Sequence, residues 1–312
     1  MDWSLSAPGA PTGRFAREQA DRLLGRLAVQ IARTIKSRGA EEVHDLRIAI
    51  RRFTRVLVVL KPCFPRDDSV RIRRGLKKIM LQAGSVRDRD IALRLLARRT
   101  RLEAGPLARH FRGERTEAAR TLTASLKRWV RRSSSAEWRS ALAGGASEDF
   151  AANRAEATAG RILPRMAKEF FRYGKEAARD KAPAEELHRF RIAAKNLRYT
   201  LDLFDPLYGE SISGLQQQLK GVQTLLGGIN DCATVRRMVA RLEGGEEILA
   251  ALKKRQRRKA AQFRQHWAAF ASGAEAARWA DCLRHAGEQT VARKPPGRSV
   301  PMAMAAGRSA RG

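Results

Sequence analysis

Acidic residues are in short supply in this 312-residue chain. There are 32 Asp and Glu against 63 Lys and Arg, a formal net charge of +31. Like charge at that density opposes a compact state, so the imbalance points to a polyanionic partner: nucleic acid, an anionic membrane surface or a phosphate polymer. Aromatics make up only 6%, which argues against a long platform for stacking single-stranded bases. The three cysteines, Cys63, Cys232 and Cys282, form no C-x-x-C pair and no metal-ligand spacing. A sparse, odd set fits a reducing compartment. The longest aliphatic run, residues 56–60, is far too short to span a bilayer. The start, Met1-Asp2-Trp3-Ser4, lacks the basic and apolar regions of a secretory signal. A soluble cytoplasmic protein with no membrane association is expected.

Catalytic signatures are missing too. Gly174-Lys175 is followed by Glu176, so there is no phosphate-binding Walker loop, and neither H-E-x-x-H nor a nucleophile elbow occurs. The chain reads as a non-enzyme without cofactor or metal. His44 and His188 could converge on a metal, but such sites usually need three or four ligands with tight local spacing, and the surrounding Arg would repel a cation. Asp88 and Asp231 read more simply as helix caps.

What the sequence does have is self-similarity. Ala40-Glu41-Glu42-Val43-His44-Asp45-Leu46-Arg47-Ile48-Ala49 aligns with Ala184-Glu185-Glu186-Leu187-His188-Arg189-Phe190-Arg191-Ile192-Ala193. Downstream, Leu76-Lys77 aligns with Leu219-Lys220, and the block ending Gly84-Ser85-Val86-Arg87-Asp88 faces the one ending Gly227-Gly228-Ile229-Asn230-Asp231. Two matched blocks in the same order predict a tandem duplication, with its seam near Gly144-Gly145 and repeats of about 14–143 and 146–285. The chain is long enough for two modest helical units with cores of their own.

Helical periodicity dominates, without a convincing alternating pattern for strands. In the first half helices are expected over residues 14–37, 41–61, 69–83 and 88–101, the last pair broken at Gly84, followed by a long helix from Pro106 to about Leu142. The second half is expected to run 150–180, 185–203, 211–226, 231–243 and 245–272, with Pro183 and Pro206 flanking its His-bearing helix. Residues 1–13 read as an N-terminal extension. Residues 286–312, rich in Pro, Gly, Ala and Arg, read as a disordered basic tail.

At about 100° per residue, His44, Arg47, Arg51 and Arg55 form one stripe, opposite Leu46, Ile50, Phe53, Leu57 and Leu60. The helix is two-faced, with an apolar seam and a cationic row facing outward. His188, Arg191 and Lys195 repeat the stripe; Arg198 borders it and Tyr199 stands where Arg55 does. Stripe members rise roughly 5–6 Å per step, a scale on which phosphoryl groups recur along a polymer. Arg and Lys supply permanent charge, and Arg grips phosphate oxygens two at a time. His adds a donor whose charge a nearby polyanion can raise. A lone basic row is usually a solvated face; its recurrence in both halves favours a binding surface. Further basic residues follow: Arg71, Arg73, Arg74, Lys77 and Lys78, with Lys220 matching Lys77. Residues 44–101 hold 17 Lys and Arg against 5 acidic residues, a fuller ladder than the second half's, so unequal contributions are expected.

These motifs, His44-x-x-Arg47-x-x-x-Arg51 and His188-x-x-Arg191-x-x-x-Lys195, each followed by a glycine-containing break and an Asp, resemble the CHAD (conserved histidine α-helical domain) family over roughly residues 14–285. The resemblance implies an all-α fold of two tandem four-helix bundles related by pseudo-twofold symmetry, with a basic central groove. It also implies binding of inorganic polyphosphate and association with polyphosphate granules in bacteria. Asn196 in place of Arg52, and Tyr199 in place of Arg55, depart from the first motif's pattern. The polyphosphate-binding set expected is His44, Arg47, Arg51, Arg52, Arg55, Arg73, Arg74, Lys77, Lys78, His188, Arg191, Lys195, Arg198 and Lys220. Nucleic acid is the secondary partner, since charge alone does not separate the two polyanions.

Overall fold

A computed structural model of the chain describes residues 9–97, 105–144 and 148–292, and every regular element in them is helical. In order they are α1 (Thr12–Ser37), α2 (Ala40–Val59), α3 (Arg66–Ala97), α4 (Pro106–Arg131), α5 (Ser134–Ala141), α6 (Glu148–Ala152), α7 (Ala155–Ala177), α8 (Ala184–Tyr208), α9 (Ser213–Val239), α10 (Glu246–Phe270) and α11 (Gly273–Ala292). Short 3₁₀ turns follow α2 and α8. The fold is all-α, as expected. No helix among the described residues is long and apolar enough to cross a membrane.

The two His-bearing helices start alike. Gly39 and Pro183 lie just before them in extended conformations, and Glu41, Glu42, Glu185 and Glu186 occupy their first turns. Acidic side chains there complement the positive end of the helix dipole. Each helix buries one apolar seam: Val43, Leu46, Ile50, Phe53 and Leu57 on α2, and Phe190, Ala194, Leu197, Leu201 and Phe204 on α8.

Consecutive helices pack in the same order in each half, α1 on α2, α2 on α3 and α3 on α4, then α7 on α8, α8 on α9 and α9 on α10. Between the halves, α2 lies against α8 and α3 against α9. Cores of their own were expected; the apolar contacts instead run across the halves. Phe15 of α1 stacks on Phe204 of α8 at 5.7 Å between ring centroids, within one core that draws on both halves. A smaller cluster joins Leu95, Leu96 and Phe111 to Cys232, Val235 and Val239. The thiols of Cys63, Cys232 and Cys282 are unpaired.

Several expected boundaries move. α3 runs unbroken through Gly84 and α9 through Gly227-Gly228, so Asp88 and Asp231 sit in mid-helix and cap nothing. The expected helix from Pro106 to Leu142 breaks at Ser133, whose φ of 50° is left-handed. The chain reverses there and brings Trp138 edge-on to Trp129 at 5.6 Å. Pro206 lies inside α8 rather than beyond it. The turn it weakens is held by packing, since Tyr208 is buried and its hydroxyl donates to the Leu283 carbonyl at 3.0 Å. Of the expected extension, residues 9–13 belong to the fold: the Gly9 amide donates to Glu156 Oε1 at 2.7 Å and α1 begins at Thr12. Of the expected tail, residues 286–292 continue α11. Residues 1–8 and 293–312, residues 98–101 of the expected helix 88–101, and Gly145 at the expected seam lie outside the described residues.

Candidate polyanion-binding site

The cationic stripe of α2 does not face outward. Because α2 packs on α8 and α3 on α9, the stripe points into the space between the halves, and His44, Arg47, Arg51, Arg191 and Lys195 are all half-buried. Arg47 shows how the helices make room. Its Nη1 donates to the Met80 carbonyl of α3 at 3.1 Å, and a Cβ on Gly84 would stand 2.9 Å from that nitrogen. Glycine inside a helix costs about 1 kcal/mol relative to alanine; here its bare face admits a guanidinium. Gly84 is thus a close-approach residue and not a helix stop.

Around Arg47 the charges are crowded. Burial first, then Arg51, Arg87 and Arg191, push the Arg47 guanidinium down to about 10, with Asp88 opposing. Arg191 is lowered for the same reasons, burial leading and Arg51 next, with Asp231 and Asp88 opposing. Lys195 suffers most: burial, then Arg191, Arg51 and Arg47, bring it down to about 6, although Asp231 pulls the other way. Burial raises Asp88 and Asp231 despite the cations beside them. Five cationic groups, Arg47, Arg51, Arg87, Arg191 and Lys195, therefore share two carboxylates in a partly dry space. Like charges so placed repel one another, and an incoming anion offsets that repulsion. Arg94 bridges α3 to α9 through Asp231 at 3.2 Å, leaving less of that carboxylate for the cations inside. His44 is lowered by burial and next by Arg87.

Other expected residues take other places. Arg55 turns into the second half: its Nε donates to Thr200 Oγ1 at 2.7 Å and its Nη2 to Met166 Sδ at 3.4 Å, and burial lowers it to about 10. Arg52 points to the other side of the α2–α8 crossing, where its Nε and Nη2 both donate to Asp202 Oδ2, at 3.2 and 3.1 Å. There it lines a cavity of about 330 Å³ with Arg22 and Arg26. The fuller ladder expected of the first half is consequently spent on joining the halves. Into the central cluster each half sends two stripe cations, Arg47 and Arg51 from α2, Arg191 and Lys195 from α8. Arg198 is held by Gln223 Oε1 at 3.0 Å, with its guanidinium carbon 5.9 Å from the Tyr199 ring. His188 is exposed and lines a groove with Arg191. Arg74, Lys77, Lys78 and Lys220 are exposed and Arg73 half-buried. By helical rotation Arg73 and Lys77 share the α3 face of Gly84 and Asp88, whereas Arg74 and Lys78 are turned about 100° from it.

Arg87, Asp88, Arg94 and Asp231 were missed as site residues. A signal was available: if α3 is read straight through Gly84, then Lys77, Gly84 and Asp88 fall on one face. Among the described residues no group of three or more His, Cys, Asp or Glu is placed to hold a metal ion.

Comparison with known proteins adds the family. No curated protein matches the sequence. The CHAD domain from the plant Ricinus communis, a crystal structure, is similar in fold, with a TM-score of 0.60 at 19% identity over 90% of this chain and 94% of that one. PptA from Streptomyces chartreusis is also similar, with a TM-score of 0.55 at 15% identity over 91% of this chain and 100% of the other. The family model of the CHAD domain matches residues 18–240, most of the described fold and all four helices that build the charged cluster. The chain belongs to the CHAD domain family.

Proposed function

We propose that the chain binds inorganic polyphosphate between its halves without turning it over, and that this binding directs it to polyphosphate granules. The observation that carries the reading is the under-neutralised cluster of Arg47, Arg51, Arg191 and Lys195. Their like charges repel one another across a partly buried space, and a phosphate polymer relieves that repulsion. Arg47, Arg51 and Arg191 engage phosphoryl oxygens, Lys195 regains its proton beside them, and His44 and His188 donate hydrogen bonds from the stripe ends. Arg73 and Lys77, together with Lys220, flank the path of a longer polymer. Arg52, Arg55 and Arg198 hold the helices that present the site. Arg74 and Lys78 add to the long-range field that draws the polymer in. Affinity comes from many charge-assisted contacts and from counterion release, so it falls as salt rises.

A competition titration tests this reading. At fixed salt and equal phosphate concentration, long-chain polyphosphate displaces duplex DNA from the protein. If duplex DNA displaces polyphosphate instead, the protein is a nucleic-acid binder. Release of orthophosphate from polyphosphate during the same incubation would overturn the non-enzymatic part.

A further inference from the structure

A groove of about 1240 Å³ lies between α8, α9 and α10. Its floor is aliphatic. Leu226, Ile229 and Ala233 of α9 and Ala240 just past its end line it, met by Ile192 from α8 and Leu249 from α10. Ile192 is 45% exposed, unusual for a large aliphatic residue of this chain. Its rim is cationic: Arg191, Arg236, Arg237 and Lys253 against Glu185, the one acidic residue among the described residues lining it. Two donors there are unsatisfied. The Nε atoms of Arg191 and Arg236 are buried and have no hydrogen-bond partner among the described residues, although Arg236 Nη1 donates to Gln256 Oε1 at 2.9 Å. Buried donors without partners cost free energy, so the rim cations at the groove are not fully satisfied by the chain's own groups.

Three features define the occupant. From residue 226 to the end of α9 at residue 239 this wall runs about 20 Å, roughly three and a half helical turns, and the groove exceeds the roughly 300–1,000 Å³ usual for small-molecule pockets. Among the described residues no Phe, Tyr or Trp lines it, and His188 is the one ring there that could stack on a nucleotide base. The aliphatic floor calls for an apolar stripe, and the rim for carboxylates beside that stripe. We propose that this groove docks an acidic amphipathic helix of a partner protein. Leu and Ile side chains at i, i+3, i+4 and i+7 fill the floor, and flanking Glu or Asp residues meet Arg191, Arg236, Arg237 and Lys253. Since Arg191 also belongs to the central cluster, the helix and a phosphate polymer compete for the protein. Competition rests on the polyphosphate reading; docking does not.

Fluorescence anisotropy with a labelled 16-residue peptide tests the inference. The peptide carries Leu at i, i+3, i+4 and i+7 with Glu on the flanks, and a scrambled peptide has the same composition. At about 0.15 M salt, where distant surface charges are screened, the patterned peptide binds at least about tenfold more tightly than the scrambled one. Ile192→Ser combined with Ala250→Gln alters only exposed groove residues and weakens the peptide about tenfold, while polyphosphate binding is unchanged. Long-chain polyphosphate displaces the peptide. Equal binding of the two peptides, or wild-type binding by the double variant, overturns the inference. Pattern-dependent binding in a protein that does not take up polyphosphate leaves the groove assigned and removes the phosphate reading.

Discussion

Arg47 occupies the space that Gly84 leaves on α3, its Nη1 donating to the Met80 carbonyl at 3.1 Å where a Cβ on Gly84 would stand 2.9 Å away. A stripe residue of α2 is thereby aimed by the absence of a side chain on α3.

Gly84→Ala tests that relationship. The new methyl displaces a flexible guanidinium, not backbone, and alanine is favoured in a helix by about 1 kcal/mol. Thermal stability stays the same or rises slightly, and polyphosphate affinity falls about threefold to tenfold as Arg47 loses its position. A binding titration beside a thermal melt reads both. Undiminished affinity would mean that the placing of Arg47 is immaterial.

Arg47→Ala with Arg191→Ala removes one cluster cation from each half. Helicity measured by circular dichroism is retained, and polyphosphate affinity falls at least about tenfold. The slope of log affinity against log salt becomes shallower by about 1.5, because two phosphate contacts no longer release counterions. A variant that binds normally would refute the site.

Polyphosphate binding at the proposed site is expected to take up protons. Burial and the neighbouring Arg191, Arg51 and Arg47 bring Lys195 down to about 6, and phosphate beside it would raise its proton affinity. At any pH between the empty-state and bound-state values the complex holds more protons, so affinity falls as pH rises from about 6. His44, lowered from its ordinary value, adds the same linkage at more acidic pH. Lys195→Met flattens the dependence above pH 6. Folding linkage runs the other way. The unfolded chain holds the Lys195 proton up to about 10.4 and the folded one only to about 6, so this residue's contribution to stability improves as pH rises through that window. Lys195→Met should therefore melt at a higher temperature at pH 7. Affinity titrations and melts between pH 5 and 9 check both signs.

Asp88→Asn and Asp231→Asn remove the cluster's internal counter-charges. Each variant binds polyphosphate about threefold to tenfold more tightly at low salt, an advantage that shrinks as salt rises. Isothermal titration at two salt concentrations measures it. Weaker binding would show that the carboxylates orient the guanidiniums rather than compete with phosphate.

Asp202→Ala is the control on the far side of the crossing. It strips Arg52 of its partner, held at 3.1 and 3.2 Å, and lowers stability by about 1 kcal/mol. Affinity for polyphosphate changes less than twofold, since Arg52 points away from the cluster. Chemical denaturation and a titration separate the two effects.

Much was legible in the sequence because it is local. The seam of Leu46, Ile50, Phe53 and Leu57 and the stripe of His44, Arg47 and Arg51 follow from the geometry of one helix. Their recurrence at His188, Arg191 and Lys195 is likewise a property of spacing within one helix and needs no packing to be read. The glycines misled. Gly84 and Gly227-Gly228 read as helix ends, because single-sequence rules give glycine a conformational role, and its role here is to make room for a side chain from another helix. That error hid the site carboxylates. With α3 and α9 broken, Asp88 and Asp231 read as caps; with the helices continuous, both fall in the cluster.

By itself, then, the sequence determined an all-helical chain, the two-faced His-bearing helices and the excess of positive charge, from which a polyanionic partner is expected. All of these follow from composition and from periodicities within single helices. Tertiary structure decided which cations meet. Packing α2 on α8 and α3 on α9 turned the stripes inward, gave Arg52 to Asp202 and Arg55 to Thr200, and left Arg47, Arg51, Arg191 and Lys195 together. It also tuned Lys195, because burial and the fields of neighbouring arginines depend on distances between helices, which no spacing along the chain encodes.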